Sequence, residues 1–135
     1  MFCLDTNIVI FAMNKRKPSV SKRLDTELAA GTSLFIPSIV LFEIWYGIAK
    51  SDRKALSAAV FAEFLSADFS VTAFDSDDAE EAGNIRAFLE GQGTPIGPYD
   101  VLIAAQARRR GAALVTVNRR EFERVPGLIV TDWGL

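Results

Sequence analysis

Short apolar segments alternate with longer amphipathic segments along the chain, and this alternation limits the possible folds more than any other feature. The apolar segments predict short strands at 1–4, 33–37, 70–74, 112–117 and 128–131. Strands separated by helices pair in parallel through right-handed crossovers, and the helices then cover both faces of the sheet. We therefore predict an α/β fold, a three-layer α/β/α sandwich around a mainly parallel sheet of four to five short strands.

The segments between the predicted strands have apolar residues at helical spacing and carry start and stop signals at their ends. "IVIFAM", at 8–13, fits a helix or a strand by its period, and its position after a strand favours a helix. Further helices are predicted at 18–30, 38–50, 52–66, 75–92 and 100–110, with a short helical turn at 120–124.

Length and composition point to one globular domain covering residues 1–135. Half of the residues (50%) are hydrophobic and 24% are charged, which supplies a core and argues against disorder. Pro37, Glu43 and Asp100 interrupt the longest apolar runs before the ~20 residues that a membrane span requires. Because Met1 leads directly into a strand without a basic leader, we expect a cytoplasmic protein that does not contact membranes.

The chain contains no histidine, and this absence excludes several catalytic chemistries. Imidazole acid-base catalysis, Ser-His-Asp and Cys-His nucleophiles and almost all zinc sites require that side chain. The single cysteine, Cys3, lies in an apolar segment and has no partner for an internal disulfide. Catalysis must therefore use carboxylates, hydroxyls, amides, Lys or Arg.

Three carboxylates stand alone in strongly apolar segments. Asp5 is the only charged side chain between Met1 and Asn14, while Glu43 and Asp100 are similarly isolated. An unpaired buried carboxylate costs roughly several kcal/mol, so three of them require a shared compensation. A bound cation provides it.

The predicted topology places these acids within reach of one another. Asp5 follows the first strand, Glu43 lies about one helical turn after the second, Asp100 begins a helix, and Asn118 follows the fourth strand. In an open parallel sheet, functional groups collect at the carboxyl ends of the strands near the switch in strand order. A set of oxygen ligands suits Mg²⁺ or Mn²⁺, and such an ion allows hydrolysis of a phosphodiester without imidazole.

Structural roles are an alternative for each residue. Asp5 and Asp100 each also fit a helix N-cap, a role that does not exclude ligation. Glu43 has no capping role, so its structural alternative is an ion pair with a distant Arg. Asn118 alone fits an ordinary loop residue. The acidic run at 75–81 and the arginines at 108–110 are interpreted as solvated helix ends.

Ordered motifs give the chain a specific resemblance. "LDTN" at the start, "PSIVLFEIWYGIAK", "GPYDVLIAA" and "TVNRREF" follow one another in the order found in PIN domains, and the chain most resembles VapC-type toxins of bacterial toxin-antitoxin pairs. The resemblance covers the whole chain. It implies a PIN-like α/β/α fold and a ribonuclease that depends on Mg²⁺ or Mn²⁺.

The resemblance also implies roles for individual acids. Asp5 and Asp100 correspond to the principal metal ligands, and Glu43 to a residue that binds or orients the metal or its water. Asn118 occupies the position where many PIN domains have a fourth acid, which departs from the wider family pattern. The role of Glu121, close by in sequence, stays open between a structural and a functional one.

Substrate contacts follow from the same resemblance. Thr6 and Thr116 are candidates for hydroxyl contacts in the site. Arg86, on the helix that flanks the cleft in these toxins, is a candidate for contact with RNA phosphate, with a surface salt bridge as its alternative.

Expected partners are RNA as substrate, a VapB-like antitoxin whose C-terminal segment covers the cleft, and a second copy in a homodimer. Two rival functions are a Mg²⁺-dependent phosphatase and a receiver-like module without enzymatic activity. The phosphatase would have a second Asp where this chain has Asn7, and the receiver a Lys where it has Arg119. No base-reading motif identifies the RNA target.

Overall fold

The structure is a computed structural model that describes all 135 residues. A single sheet of five strands has the order β3-β2-β1-β4-β5, and every pairing is parallel. The strands are Phe2–Leu4 (β1), Leu34–Pro37 (β2), Ser70–Thr72 (β3), Ala113–Val115 (β4) and Ile129–Thr131 (β5). All five predicted strands are therefore present. β4 is shorter than its predicted segment because β1 and β5 each offer only three residues to pair with it.

Seven helices connect the strands, and the predicted helices are confirmed, including the one of ambiguous period. They are Thr6–Asn14 (α1), Pro18–Ala29 (α2), Ser38–Ala49 (α3), Lys54–Leu65 (α4), Ser76–Gly91 (α5), Pro98–Arg109 (α6) and Arg119–Phe122 (α7). None of them combines the length and the apolar composition needed to cross a bilayer.

The central strands are buried on both faces. All four residues of β2 are buried, as are Cys3 and Leu4 in β1. Successive strand residues point to opposite faces, so burial of consecutive residues means that helices cover the sheet on both sides. This arrangement confirms the predicted three-layer sandwich.

The acidic start of α5 and the basic end of α6 correct the sequence interpretation, because they bind each other. Asp78 is fully buried, and its Oδ1 accepts hydrogen bonds from Arg109 Nη1 at 2.7 Å and from Arg110 Nη1 at 2.8 Å. Burial raises the pKa of Asp78, but the hydrogen bonds from Arg110, from the Asp75 N–H and from Arg109 outweigh it and lower the pKa to about 2. These residues are an ion-paired connection between two helices rather than solvated ends.

The strand order creates a crevice beside β1. From β1 the chain moves outward to β2 and β3, and then crosses to β4 on the other side of β1. The connections that leave β1 and β4 diverge at the carboxyl ends of these strands, and this is where α/β sheets of this kind bind ligands.

Candidate active site

Asp5 lies at the switch point, immediately after β1. Leu4 of β1 pairs with Val115 of β4, and the Asp5 N–H donates to the Val115 carbonyl at 3.1 Å. Asp5 Oδ1 accepts a 2.8 Å hydrogen bond from the Thr6 N–H, which caps α1 as predicted. Asp5 Oδ2 accepts a 2.7 Å hydrogen bond from the Thr116 hydroxyl, so both carboxylate oxygens are held in place.

Burial dominates the electrostatics of Asp5, which is only 5% exposed. Burial raises the pKa of Asp5, while the hydrogen bonds from Thr116 and Thr6 act in the opposite direction. The negative charges of Glu43 and Glu121 raise this pKa further, so both of these acids lie close enough to act on Asp5.

Glu43 reaches the same cleft from α3. Its Oε1 accepts a 2.8 Å hydrogen bond from the Thr6 hydroxyl, so Thr6 contacts Asp5 through its backbone and Glu43 through its side chain. Glu43 forms no ion pair, so the structural alternative of a distant Arg partner is wrong.

Asp100 lies in the first turn of α6 and does not cap it. The helix begins at Pro98, two residues earlier than predicted, and its N-cap is Gly97, which has no side chain to accept a hydrogen bond. Proline is favoured at the first helical position, because its fixed φ suits a helix and it has no N–H to leave unpaired. The capping interpretation of Asp100 is therefore wrong, and its carboxylate is available to the cleft.

The surroundings of Asp100 disfavour its charged form. Burial comes first, followed by the negative charges of Asp5 and Glu121, a hydrogen bond with Glu121 and the charge of Glu43, and together they raise the pKa of Asp100 to about 7. Three carboxylates on three other elements therefore act on this one side chain.

Glu121, whose role the sequence left open, is a fourth acid of the cleft. Its Oε1 accepts a 2.9 Å hydrogen bond from the Gly97 N–H, and its Oε2 accepts one from Asn118 Nδ2. The Gly97 bond comes first among the interactions that lower the pKa of Glu121. A β-carbon at Gly97 would stand 3.1 Å from Asp100 Oδ2 and 3.8 Å from Glu121 Oε1, so glycine allows the two acids to approach.

Asn118 supports this arrangement from the loop after β4. Its side chain donates to Glu121, and its backbone N–H donates to Thr116 Oγ1 at 3.0 Å. Asn118 therefore holds Glu121, the fourth acid of the cleft, which lies three residues later in the sequence. The spacing of Asn118 and Glu121, three residues apart at the start of a short helix, was the sequence signal for their contact.

Arg86 is not brought into the cluster. It is exposed on α5, and its Nε lies 3.1 Å from Glu90 Oε2 in an (i, i+4) ion pair. The structure thus contains the surface salt bridge that was the alternative for this residue. Arg86 also lines a groove with Pro95 and Pro98, in the loop and first turn that precede Asp100.

No basic side chain forms an ion pair with the four acids of the cleft, and the charge of Arg124 acts on Glu121 only from a distance. None of the ion pairs in the structure includes Asp5, Glu43, Asp100 or Glu121. No three of the acids lie close enough together in this structure to bind one ion jointly. The donor set is all oxygen, acidic and open, and it fits an ion that binds one or two carboxylates and keeps several waters, as Mg²⁺ does.

The chain is similar to known proteins of one family, both in sequence and in fold. The model of the PIN domain family matches residues 2–128. The chain is 42% identical over 133 residues to the tRNA(fMet)-specific endonuclease VapC of Shigella flexneri, with 98% of each chain covered. The structure of DNA-bound VapBC from Salmonella typhimurium matches with a TM-score of 0.89 at 40% identity, covering 98% of this chain and 97% of that one. VapBC2 from Rickettsia felis, bound to a DNA fragment from its promoter, also gives a TM-score of 0.89, at 36% identity with 96% of each chain covered. The chain therefore belongs to the PIN domain family, and within that family to the VapC group.

Proposed function

We propose that this chain is a metal-dependent endoribonuclease and the toxin of a toxin-antitoxin pair, which hydrolyses RNA phosphodiester bonds at the cleft beside β1. The observation that carries the proposal is the convergence of four carboxylates that form no ion pair with Lys or Arg. A relative that is 38% identical to this chain, VapC2 of Rickettsia felis, is named a ribonuclease.

Asp5 and Asp100 are the proposed principal metal ligands, and Glu43 orients the ion or its water. Asp5 is held at both oxygens, and each oxygen keeps a second lone pair for a cation. A bound Mg²⁺ or Mn²⁺ would activate a water as nucleophile and neutralise charge on the phosphate. Glu121 adds negative charge beside Asp100 and keeps its own orientation through Gly97 and Asn118.

Thr6 and Thr116 orient carboxylates in this arrangement. Each hydroxyl has a single hydrogen, and that hydrogen is donated to Glu43 or Asp5. The hydroxyls therefore have only acceptor lone pairs for other partners, which suits a cation or its water better than a phosphate oxygen. For Arg86 to contact an RNA phosphate, its side chain must first break the ion pair with Glu90.

Initiator tRNA is the first substrate to test. VapC of Shigella flexneri and VapC of Salmonella typhimurium, at 42% and 40% identity, are both named tRNA(fMet)-specific endonucleases. We propose that this chain also cleaves a tRNA.

Two protein partners belong to the proposal. The similar solved structures are VapBC complexes, which supports a VapB-like antitoxin as partner. A groove of about 350 Å³ between α1, α3 and α4 reaches Glu43 and is lined by apolar residues such as Ile10 and Leu56. We propose that the antitoxin segment binds in this groove and, from there, covers the carboxylate cleft at Glu43. The family resemblance supports a homodimer as well.

The test is cleavage of purified tRNA by the purified chain. We expect cuts in initiator tRNA with Mg²⁺ or Mn²⁺, with 5′ ends mapped by primer extension, and none in elongator methionine tRNA or with EDTA. Asp100→Asn should abolish the cuts, whereas the exposed Asp77→Asn serves as an acid-to-amide control and should keep them. Undiminished cleavage by Asp100→Asn, or cleavage in EDTA, would contradict the proposal.

Folding of the inactive variant is checked separately. Because Asp100 is charged at high pH against the preference of its surroundings, Asp100→Asn removes a repulsion. Because the pKa of Asp100 is raised in the folded protein, ionisation of this side chain lowers stability as pH rises. The melting temperature of Asp100→Asn at about pH 8 should therefore equal or exceed that of the wild type.

A further inference from the structure

Two exposed aromatic rings meet beside the carboxylate cleft. Phe42 of α3 and Tyr99 of α6 are each 48% exposed, and their ring centroids lie 5.2 Å apart with the planes at 62°. Phe42 directly precedes Glu43, and Tyr99 directly precedes Asp100. The rings therefore mark the seam where the two helices that carry these acids come together.

Other exposed aromatic rings on α3 have partners of a different kind. Trp45 packs edge-on against Phe61, which is fully buried, with centroids 5.1 Å apart. Tyr46 lies under the Lys50 ammonium at 4.7 Å. The aromatic partner of Phe42 is Tyr99, which is itself exposed, so about half of the surface of this pair remains in water next to the acids.

The charge of the cleft makes neutral contacts valuable to an RNA ligand. Four carboxylates repel the phosphates on either side of the one that reacts, so backbone charge alone does not hold the strand there. Bases stack on aromatic faces whatever their identity, and this contact carries no charge. An aromatic pair at the rim is suited to hold a base next to the reacting phosphate.

We propose that Phe42 and Tyr99 form a stacking subsite for one unpaired RNA base beside the scissile phosphate. This inference rests on the proposed function. The subsite positions the strand without reading sequence, since stacking is tolerant of the base. It acts on substrate binding, whereas the carboxylates act on the chemical step.

A second copy of this chain is the rival occupant of the same rings. A stable interface buries roughly 800 Å² on each partner, so a contact between copies at these rings would have to extend well beyond them. Each ring directly precedes an acid of the cleft in sequence, Glu43 or Asp100, and this position favours the RNA strand as the occupant. The experiment therefore measures the oligomeric state of each variant as well as its kinetics.

The experiment replaces the rings while keeping apolar volume. Phe42→Leu with Tyr99→Leu should raise KM for the mapped RNA substrate about tenfold or more and leave kcat within about twofold, which is the range expected for loss of base stacking. Tyr99→Phe keeps the ring and should keep the wild-type KM. Phe88→Leu, which removes a 47% exposed ring on α5, is the matched control and should have no effect.

An abasic RNA completes the test. Removing the base beside the mapped cleavage position should raise KM for the wild type but produce no further rise for the double Leu variant. An unchanged KM in that variant, or equal losses for both proteins on abasic RNA, would overturn the subsite. A smaller oligomer of the variant in sedimentation velocity would assign the rings to an interface between copies instead. If the wild type cleaves no RNA at all, it is the proposed function that fails.

Discussion

The Thr116 hydroxyl donates a 2.7 Å hydrogen bond to Asp5 Oδ2, although the two residues stand 111 positions apart in sequence. They are neighbours because β1 and β4 pair in parallel at the centre of the sheet and end at the same level. Thr116 is itself fully buried and accepts the Asn118 N–H, so the bond is part of a connected set rather than an isolated contact.

Loss of this hydroxyl should weaken the site without unfolding the protein. Thr116→Val keeps the shape and removes the donor, leaving a buried carboxylate oxygen with one hydrogen bond fewer, a loss of about 1.5–3 kcal/mol for a charged acceptor. RNA cleavage should fall at least tenfold. Thr116→Ser keeps the hydroxyl and should retain most activity, so equal activities of the two variants would show that the bond does not matter.

Glu121 should prove to be part of the catalytic machinery. Glu121→Gln removes a charge beside Asp100 but keeps an oxygen to accept the Gly97 N–H. We expect a loss of about 10- to 100-fold, the range found when a residue that orients metal ligands is changed, with a higher cation concentration needed for half-maximal activity. Glu123→Gln, an exposed acid two residues away that pairs with Arg119, is the control. Equal activity of both variants would return Glu121 to a structural role.

The strand and helix pattern was predictable because burial on both faces leaves a direct mark on the sequence. Runs such as Leu34–Pro37 are apolar throughout, and the three isolated acids stand out against such runs. The convergence of Asp5, Glu43 and Asp100 followed from the rule that parallel strands deliver their carboxyl ends to one edge.

Contacts between separate elements were not predictable in the same way. The pairing of Asp78 with Arg109 and Arg110 depends on how α5 packs against α6, and charge runs at helix ends look alike whether solvated or paired. The start of α6 at Pro98 was missed because Asp100 also fits a cap. The role of Glu121 depends on the Gly97 N–H from a distant loop, which leaves no periodic signal.

Asp78 should make stability sensitive to acid. Its folded pKa of about 2 lies below the ordinary value of 3.8, so its contribution is present above pH 3.8 and is lost as pH falls through about 2. By the usual conversion of pKa shifts, this contribution is at most about 2 kcal/mol. Asp78→Asn should therefore lower the free energy of unfolding in urea at neutral pH, and the difference from wild type should shrink toward pH 2.

The control for this prediction is Asp77→Asn on the same helix turn. The Asp77 side chain is 75% exposed and lies 3.8 Å from Arg109, so its replacement should change stability little. A difference between wild type and Asp78→Asn that persists unchanged to low pH would show that the lost stability comes from packing rather than from charge.

Cation binding should depend on pH through Asp100. Burial and the charges of Asp5 and Glu121 raise its pKa to about 7, so near neutral pH the carboxyl is partly protonated and must ionise before it can bind an ion. Affinity for Mn²⁺ should therefore rise with pH, and at pH 6, one unit below this pKa, it should be roughly tenfold weaker than on the plateau above pH 8. Titration calorimetry in buffers of different ionisation enthalpy should detect the released proton.

Asp100→Asn should lose most of this pH dependence of cation binding. Asp132→Asn, which changes an acid outside the cleft that lies near Arg119, should keep it. An affinity that stays constant between pH 6 and 8 in the wild type would mean that Asp100 does not bind the ion.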